Sequence, residues 1–288
     1  MTPEKNGNRK SAFYFPWLLS HSKTWFRRGL NLLYPLRCPC CDEFLPDEVI
    51  ESPGWTQICM GCQKKLLPRE KSPCRGCGAF FPIPTPESSP KERLSCVHCS
   101  TDVHFFRRAV ALGEYSNELR EAVLHLKEEA SGYFATALSS LLFQIRGGEL
   151  RAFDPDYIIP VPMHYARRLV RGVNNPEFLA EELSRNLKVP VLSTLVRRTR
   201  STNVQFELTP KQRAVNIKNA FELKPGLWKR LRRISAREIL AGKKILLADD
   251  ILTTGSTLNE IAKLLLANGA ASVNVCVLAR AVGEQLSE

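Results

Sequence analysis

The sequence predicts an α/β fold, a parallel sheet flanked by helices, preceded by a small cysteine-rich module. Three observations carry this expectation. Apolar runs at Tyr157–Val161, Ile245–Ala248 and Val273–Leu278 have the length and predominantly apolar character of strands buried on both faces. Helical patterns separate them, the alternation that lays strands parallel. Four Cys-x-x-Cys pairs lie between residues 38 and 99, and from Phe105 the chain changes to regular α/β character. The 288 residues thus divide into a segment 1–35, a module 36–104 and a domain 105–288, enough chain for a sizeable core.

Residues 1–35 are basic and amphipathic. Lys5, Arg9 and Lys10 precede the short apolar run Phe13–Leu19, which mimics the start of a signal peptide. Pro16 interrupts the run and no small-x-small cleavage site follows. A short helix from Ser22 to Tyr34 is expected, with Trp25, Leu30, Leu32 and Leu33 as its apolar residues. It would dock on the protein or touch a membrane surface. No run approaches the roughly 20 apolar residues of a membrane span.

The cysteine pairs are Cys38/Cys41, Cys59/Cys62, Cys74/Cys77 and Cys96/Cys99, with Cys40 left over inside the first. A Cys-x-x-Cys turn puts two thiolates on one ion, and two such turns complete a tetrahedral four-sulfur site. Four turns therefore imply two structural zinc ions. The segment is rich in proline and poor in apolar residues, so metal would supply much of its folding free energy. The competing reading is a disulfide framework, which needs an oxidising compartment for which no export signal is seen. Sequential pairing of the turns is the simplest arrangement; a cross-braced one is the alternative. His98, inside the last turn, could replace a thiolate. Residues 82–94, rich in proline and charge, read as an exposed excursion.

Past Phe105, a strand at Ala109–Gly113 is followed by helices at Leu119–Leu126 and Gly132–Ile145. The strand Tyr157–Val161 leads into a basic stretch with His164, Arg167, Arg168 and Arg171, then a helix at Pro176–Asn186. A strand end followed by a loop is where an α/β sheet places its ligand, and arginine makes planar bidentate contacts to phosphate oxygens. The competing reading is a solvated basic loop.

Residues 196–221 lack periodicity in their first half. Residues 226–242 form a basic helical pattern, with Trp228, Leu231, Ile234, Ile239 and Leu240 set against Lys229, Arg230, Arg232, Arg233 and Arg237. Between 196 and 244 there are 14 Lys and Arg against 3 Glu, a net +11 beside +12 for the whole chain. Such a concentration suits a polyanion, a phosphorylated substrate or an anionic surface. Lys229, Arg230, Arg232 and Arg233 are the candidates for contact with a nucleic-acid backbone, and Trp228, Phe206 and Phe221 could stack bases unless they are core.

The densest chemistry lies in Lys243–Leu258, KKILLADDILTTGSTL. A buried strand ends on two carboxylates, Asp249 and Asp250. The turn Thr253, Thr254, Gly255, Ser256, Thr257 follows, then a helix whose apolar residues include Leu258, Ile261 and Leu265 and which stops near Asn268-Gly269. Free N–H groups at a helix start bind phosphate, glycine lets the backbone approach closely, and carboxylates suit vicinal sugar hydroxyls. Phosphate beside ribose is the ligand this stretch describes.

The stretch resembles the phosphoribosyl-pyrophosphate (PRPP) loop of type I phosphoribosyltransferases. That resemblance implies that Asp249 and Asp250 hold the ribose hydroxyls and Thr253–Thr257 the 5-phosphate. Taken with the cysteine turns, Val161-Pro162, Arg167-x-x-x-Arg171-Gly172-x-Asn174, Gln205, Arg213-x-x-Asn216 and Asn219-Ala220-Phe221, the chain from about Leu30 onward is similar to the bacterial ComF/GntX family. The family usually reads Gly-Phe-Asn-Gln where this chain has Gly172-Val173-Asn174-Asn175. The resemblance implies a type I phosphoribosyltransferase-like parallel sheet with PRPP and magnesium as ligands. Residues 158–175 would be the pyrophosphate loop, with Arg167, Arg168 and Arg171 on PRPP, and 197–215 a mobile lid. It further implies handling of single-stranded DNA during natural transformation or DNA utilisation, a cytoplasmic location that includes the inner membrane surface, and a DNA translocase or helicase as a further partner. The alternative within the same resemblance is a phosphoribosyltransferase of nucleotide metabolism with an unknown acceptor.

Overall fold

The computed structural model describes residues 35–46, 57–68, 70–82, 96, 99, 104–128, 132–163, 174–199, 217–224 and 234–281. The expected helix at Ser22–Tyr34, the excursion after residue 82 and His98 lie outside the described residues.

In chain order the elements are α1 (Met60–Leu66), β1 (Lys71–Pro73), β2 (Phe80–Pro82), β3 (Ala109–Glu114), α2 (Asn117–Glu128), α3 (Gly132–Ala152), β4 (Tyr157–Pro160), α4 (Asn175–Leu187), β5 (Val196–Arg198), β6 (Phe221–Leu223), α5 (Ala236–Leu240), β7 (Lys244–Leu252), α6 (Ser256–Ala267) and β8 (Ser272–Arg280). The central sheet runs β3-β8-β7-β4, and each of its pairings is parallel. The expected α/β architecture is therefore present. Beyond β4 the chain adds one more parallel bridge, Ile158 with Val191.

The two-residue period of a strand explains how this sheet is buried on both sides. In β7, Leu246 and Ala248 face one core while Ile245 and Leu247 face the other. In β8, Cys276 and Leu278 take the first side; Val273, Val275 and Val277 take the second. The first core is closed by α2, α3 and α4, and the second by α6, α5 and residues around β6. Every residue of β8 is buried, which is why its sequence is mostly apolar, with Asn274 as a buried polar exception.

Several elements depart from the sequence pattern. The helix expected over Gly132–Ile145 continues to Ala152. The strand expected at Ile245–Ala248 extends to Leu252, so both acids lie within it. The β5–β6 hairpin is antiparallel, with Val196 opposite Leu223. Its strands are three residues each, too short to show a period. Of the helical pattern over 226–242, residues 225–233 are outside the described set, and α5 covers Ala236–Leu240. Its start is a capping box: Ser235 accepts from the Glu238 N–H and the Glu238 carboxylate accepts from the Ser235 N–H. Phe221 is core, 7% exposed, and so is not a base-stacking platform. No described helix is long and apolar enough to cross a membrane.

Candidate functional site

The site begins with a strand in the middle of the sheet. β7 has β8 on one side and β4 on the other. Pro160 pairs with Ala248, and the Val161 N–H donates to the Ala248 carbonyl at 2.8 Å. The chain leaving β4 therefore departs beside Asp249. Loops at the carboxyl ends of adjacent parallel strands form the crevice where open α/β sheets bind ligands.

Asp249 and Asp250 occupy the end of β7 and are half-buried. Each carboxylate bends forward onto the backbone: Asp249 Oδ1 accepts the Asp250 N–H at 2.9 Å, and Asp250 Oδ1 accepts the Ile251 N–H at 2.8 Å. One oxygen of each is thus held, which orients the other. Tyr115, just past β3, stands near Asp250. Burial pushes the Tyr115 phenol up; Arg120 draws it back, and the Asp250 and Glu121 charges push it further up.

The turn after β7 takes the shape an anion needs. Gly255 is the N-cap of α6 with φ 75° and ψ 0°, a left-handed conformation that favours glycine. A side chain there would also press on Leu252, 3.3 Å from an added Cβ, and would touch His104 at 3.5 Å. With no side-chain cap and no acid in its first turn, α6 presents its first N–H groups and its positive dipole end to the turn. The Thr254 and Ser256 hydroxyls are 2.9 Å apart, and the first helical bond runs from the Asn259 N–H to the Gly255 carbonyl at 2.7 Å.

The structure thus brings together Asp249, Asp250, Thr253, Thr254, Gly255, Ser256 and Thr257. Arg167, Arg168 and Arg171 lie outside the described residues, as do His164, Gln205, Phe206, Arg213, Asn216, Trp228 and the basic set Lys229, Arg230, Arg232 and Arg233. The asparagines that follow the basic stretch are structural. Asn175 Nδ2 donates to the Leu126 carbonyl at 2.9 Å, and Asn174 Nδ2 points at the Val161 carbonyl at 3.4 Å. Both side chains are buried.

The cysteines form two groups of four: Cys38, Cys41, Cys59 and Cys62, and Cys74, Cys77, Cys96 and Cys99. The pairing is sequential; the cross-braced alternative is not adopted. A tetrahedral ion with Zn–S bonds of about 2.3 Å needs sulfurs about 3.8 Å apart. Cys41 and Cys59 Sγ are 3.7 Å apart, Cys74 and Cys99 3.6 Å, and Cys77 and Cys96 3.5 Å. Backbone N–H groups point at the sulfurs as well, from Cys59 to Cys38 and from Gly76 to Cys74. Burial raises the Cys38 thiol, but N–H donors from Cys59, Cys40 and Cys41 outweigh it and bring it to about 7. The Cys74 thiol is likewise lowered against burial, by the N–H groups of Cys77 and Gly76. Burial and neighbouring thiols push Cys62 and Cys99 up. Crowded thiols resist ionising together until a divalent cation neutralises them. Both groups fit zinc by donor type, number and spacing.

One residue of this region went unnoticed in the sequence. Arg280, the last of β8, is 5% exposed, and its guanidinium donates to the Leu252 carbonyl at 3.0 Å and to the Thr253 carbonyl. An arginine at the end of an apolar strand reads as a surface cap; only the packing around it marks it as internal.

A model of the phosphoribosyl transferase domain matches residues 177–287. Competence protein F of Haemophilus influenzae is 32% identical over 227 residues, covering 78% of this chain and 90% of that protein. DNA utilization protein YhgH of Escherichia coli K12 is 33% identical over 234 residues, covering 79% and 92%, and the Shigella flexneri protein of the same name is 34% identical with the same coverage. Among solved structures, a purine phosphoribosyltransferase from Pyrococcus horikoshii is similar over 56% of this chain and 72% of that one, at 18% identity and a TM-score of 0.29.

Proposed function

The chain belongs to the family of competence protein F and DNA utilization protein YhgH, the bacterial ComF/GntX family, and from that premise we propose that it is a PRPP-binding protein that handles single-stranded DNA. The observation that carries the reading is the sequence of two carboxylates, left-handed glycine and uncapped helix start at the end of β7. Asp249 and Asp250 would accept hydrogen bonds from the vicinal ribose hydroxyls. Thr253, Thr254, Ser256 and Thr257, with the N–H groups of α6, would hold the 5-phosphate. Arg167, Arg168 and Arg171, which follow β4 in the chain, would meet the pyrophosphate. Magnesium would arrive on that pyrophosphate and neutralise charge on its oxygens.

The phosphoribosyl transferase match favours turnover as a second reading. Loss of pyrophosphate from the anomeric carbon would leave positive charge on the sugar, and the loop arginines would stabilise the departing anion. Closure of the 197–215 segment would exclude water. The acceptor is not named by any side chain of the site.

For DNA, the net +11 of residues 196–244 supports contact with phosphates without base readout. The two cysteine groups would each hold one structural zinc.

The deciding experiment is calorimetric titration of the full chain with PRPP and, separately, with single-stranded DNA, followed by an assay of pyrophosphate release. PRPP binding supports the site, and its absence ends that reading; pyrophosphate release with an added acceptor separates an enzyme from a binding protein. With about four phosphate contacts, doubling the salt weakens DNA binding about seven-fold, and neutral replacements of Lys229, Arg230, Arg232 and Arg233 flatten that dependence. An unchanged salt slope in that variant makes the basic stretch a solvated face.

A further inference from the structure

Arg280 touches two regions, around Cys77 and around Leu252, that lie 175 residues apart in the sequence. Its Nε donates to the carbonyl of Cys77, inside the second cysteine group, at 3.1 Å. Its Nη1 reaches the carbonyls of Leu252, Thr253 and Ala281. Leu252 ends β7 and Thr253 opens the phosphate turn. One buried guanidinium thus joins the backbone of a metal-binding turn to the backbone that enters the anion site.

The surroundings strengthen the tie. The Gly76 carbonyl accepts the Ala109 N–H at 2.7 Å, so the second cysteine turn is bonded to the start of β3. Gly78, at φ 71°, lies so close to this strand that an added Cβ would come within 3.1 Å of the Ala109 carbonyl oxygen. On the far side of the last cysteine, His104 stacks on Phe106 at 4.5 Å and packs under Gly255. The Phe105 N–H donates to Asn259 Oδ1 in the first turn of α6. The second cysteine turn is thus fixed to β3, and the segment that follows the last cysteine braces the phosphate turn.

We propose that Arg280 is a positioning residue that couples the integrity of the second cysteine group to the shape of the phosphate turn Thr253–Thr257. The coupling rests on the reading of that turn as the PRPP phosphate site only for its functional consequence; the mechanical link stands on the hydrogen bonds themselves. A guanidinium suits the task because its planar fork serves several carbonyls at once, at fixed angles, and it stays charged at any physiological pH. Lysine keeps the charge and loses the fork. With the second group intact, Cys77 fixes one side of the guanidinium and the other side holds Leu252 and Thr253. With that group lost, the carbonyl of Cys77 is released and the turn loses one of its two braces.

The test is a cycle of four full-length proteins: the natural chain, Arg280→Lys, Cys99→Ser and the double variant. Hydrogen–deuterium exchange of amides 252–257 reads the turn without any ligand, and PRPP calorimetry reads its function. Arg280→Lys is expected to keep protection in β7 and β8, raise exchange at 252–257 and weaken PRPP about ten-fold, the loss of one or two charge-assisted hydrogen bonds. Cys99→Ser is expected to raise exchange of the same amides in the natural background and to add little in the Arg280→Lys background. Wild-type exchange and PRPP affinity in Arg280→Lys overturn the proposal, as does an equal effect of Cys99→Ser in both backgrounds. If the natural chain binds no PRPP, the PRPP reading fails while the exchange cycle still decides the coupling. If Arg280→Lys does not fold, chelation of metal from the natural chain decides: faster exchange at 252–257 with β7 still protected supports the link, and unchanged exchange refutes it.

Discussion

The cysteine region and the sheet are ordered by different forces. β7 and β8 are buried on both faces between two apolar cores. Around the second cysteine group the described buried side chains are few: Cys77, Ala79 and Phe80. There, apart from Phe80, which reaches the second apolar core, sulfur geometry stands where hydrophobic packing would otherwise be. The first group is intermediate. Cys38, Leu45, Ile58, Cys62 and Leu66 join the same core as Leu112, Leu119 and Leu126, so α1 leans on the sheet while the four thiols of this group converge on one another. A chain poor in apolar residues can still hold a defined shape when a few ligands converge on an ion; a chain rich in them needs no ion.

The largest expected effect breaks the cysteine side of this comparison. Protein purified without chelator should contain about two zinc per chain, and stripping them should cost the module on the order of 10 kcal/mol per site. Order around the cysteines should vanish while amides of β4, β7 and β8 stay protected. Elemental analysis near zero, with oxidised thiols, would rule out the zinc assignment.

The reverse experiment strikes the sheet. Leu246 is fully buried in β7 between β4 and β8. Leu246→Ala should cost about 3–5 kcal/mol by leaving a cavity, measured by denaturant titration, with zinc content unchanged. A cost below about 1 kcal/mol would show that this core collapses around the missing side chain.

Site chemistry should be separable from both. Asp250→Asn keeps an oxygen that can accept the Ile251 N–H and removes the charge. PRPP affinity should fall by about 1.5–3 kcal/mol with little change in melting. Equal affinity in calorimetry would remove Asp250 from the ribose contact.

The smallest effect sharpens the electrostatics at the base of β7. The Lys244 N–H and the Lys243 ammonium donate to Asp156 at 2.8 and 3.0 Å and hold its carboxyl below its usual 3.8. A depressed folded value stabilises the protein above the unfolded one and ceases to do so as pH falls through the folded value. Asp156→Asn should therefore cost about 1 kcal/mol at neutral pH, and the difference should fade below pH 3.8. A pH-independent difference would assign the effect to packing.

Much of this protein could be read without coordinates because its signals are local. Strands buried on both faces announce themselves as apolar runs, and a Cys-x-x-Cys turn carries its ligand geometry within four residues. The acid pair, glycine and hydroxyl-rich turn sit next to one another in sequence because a strand end and a helix start are consecutive. The β5–β6 hairpin escaped notice because three-residue strands have no period to detect, and its partners lie twenty-odd residues apart.

Tertiary structure alone decided which cysteine turns converge, since identical spacings leave sequential and cross-braced pairing equivalent in one dimension. It also decided the fate of Arg280. Composition places an arginine on the surface, where its charge is hydrated. Here two distant stretches of chain converge on the end of β8 and, with the neighbouring Ala281 carbonyl, offer it oxygens in place of water. A convergence of that kind is a property of the folded path, not of any neighbourhood in the sequence.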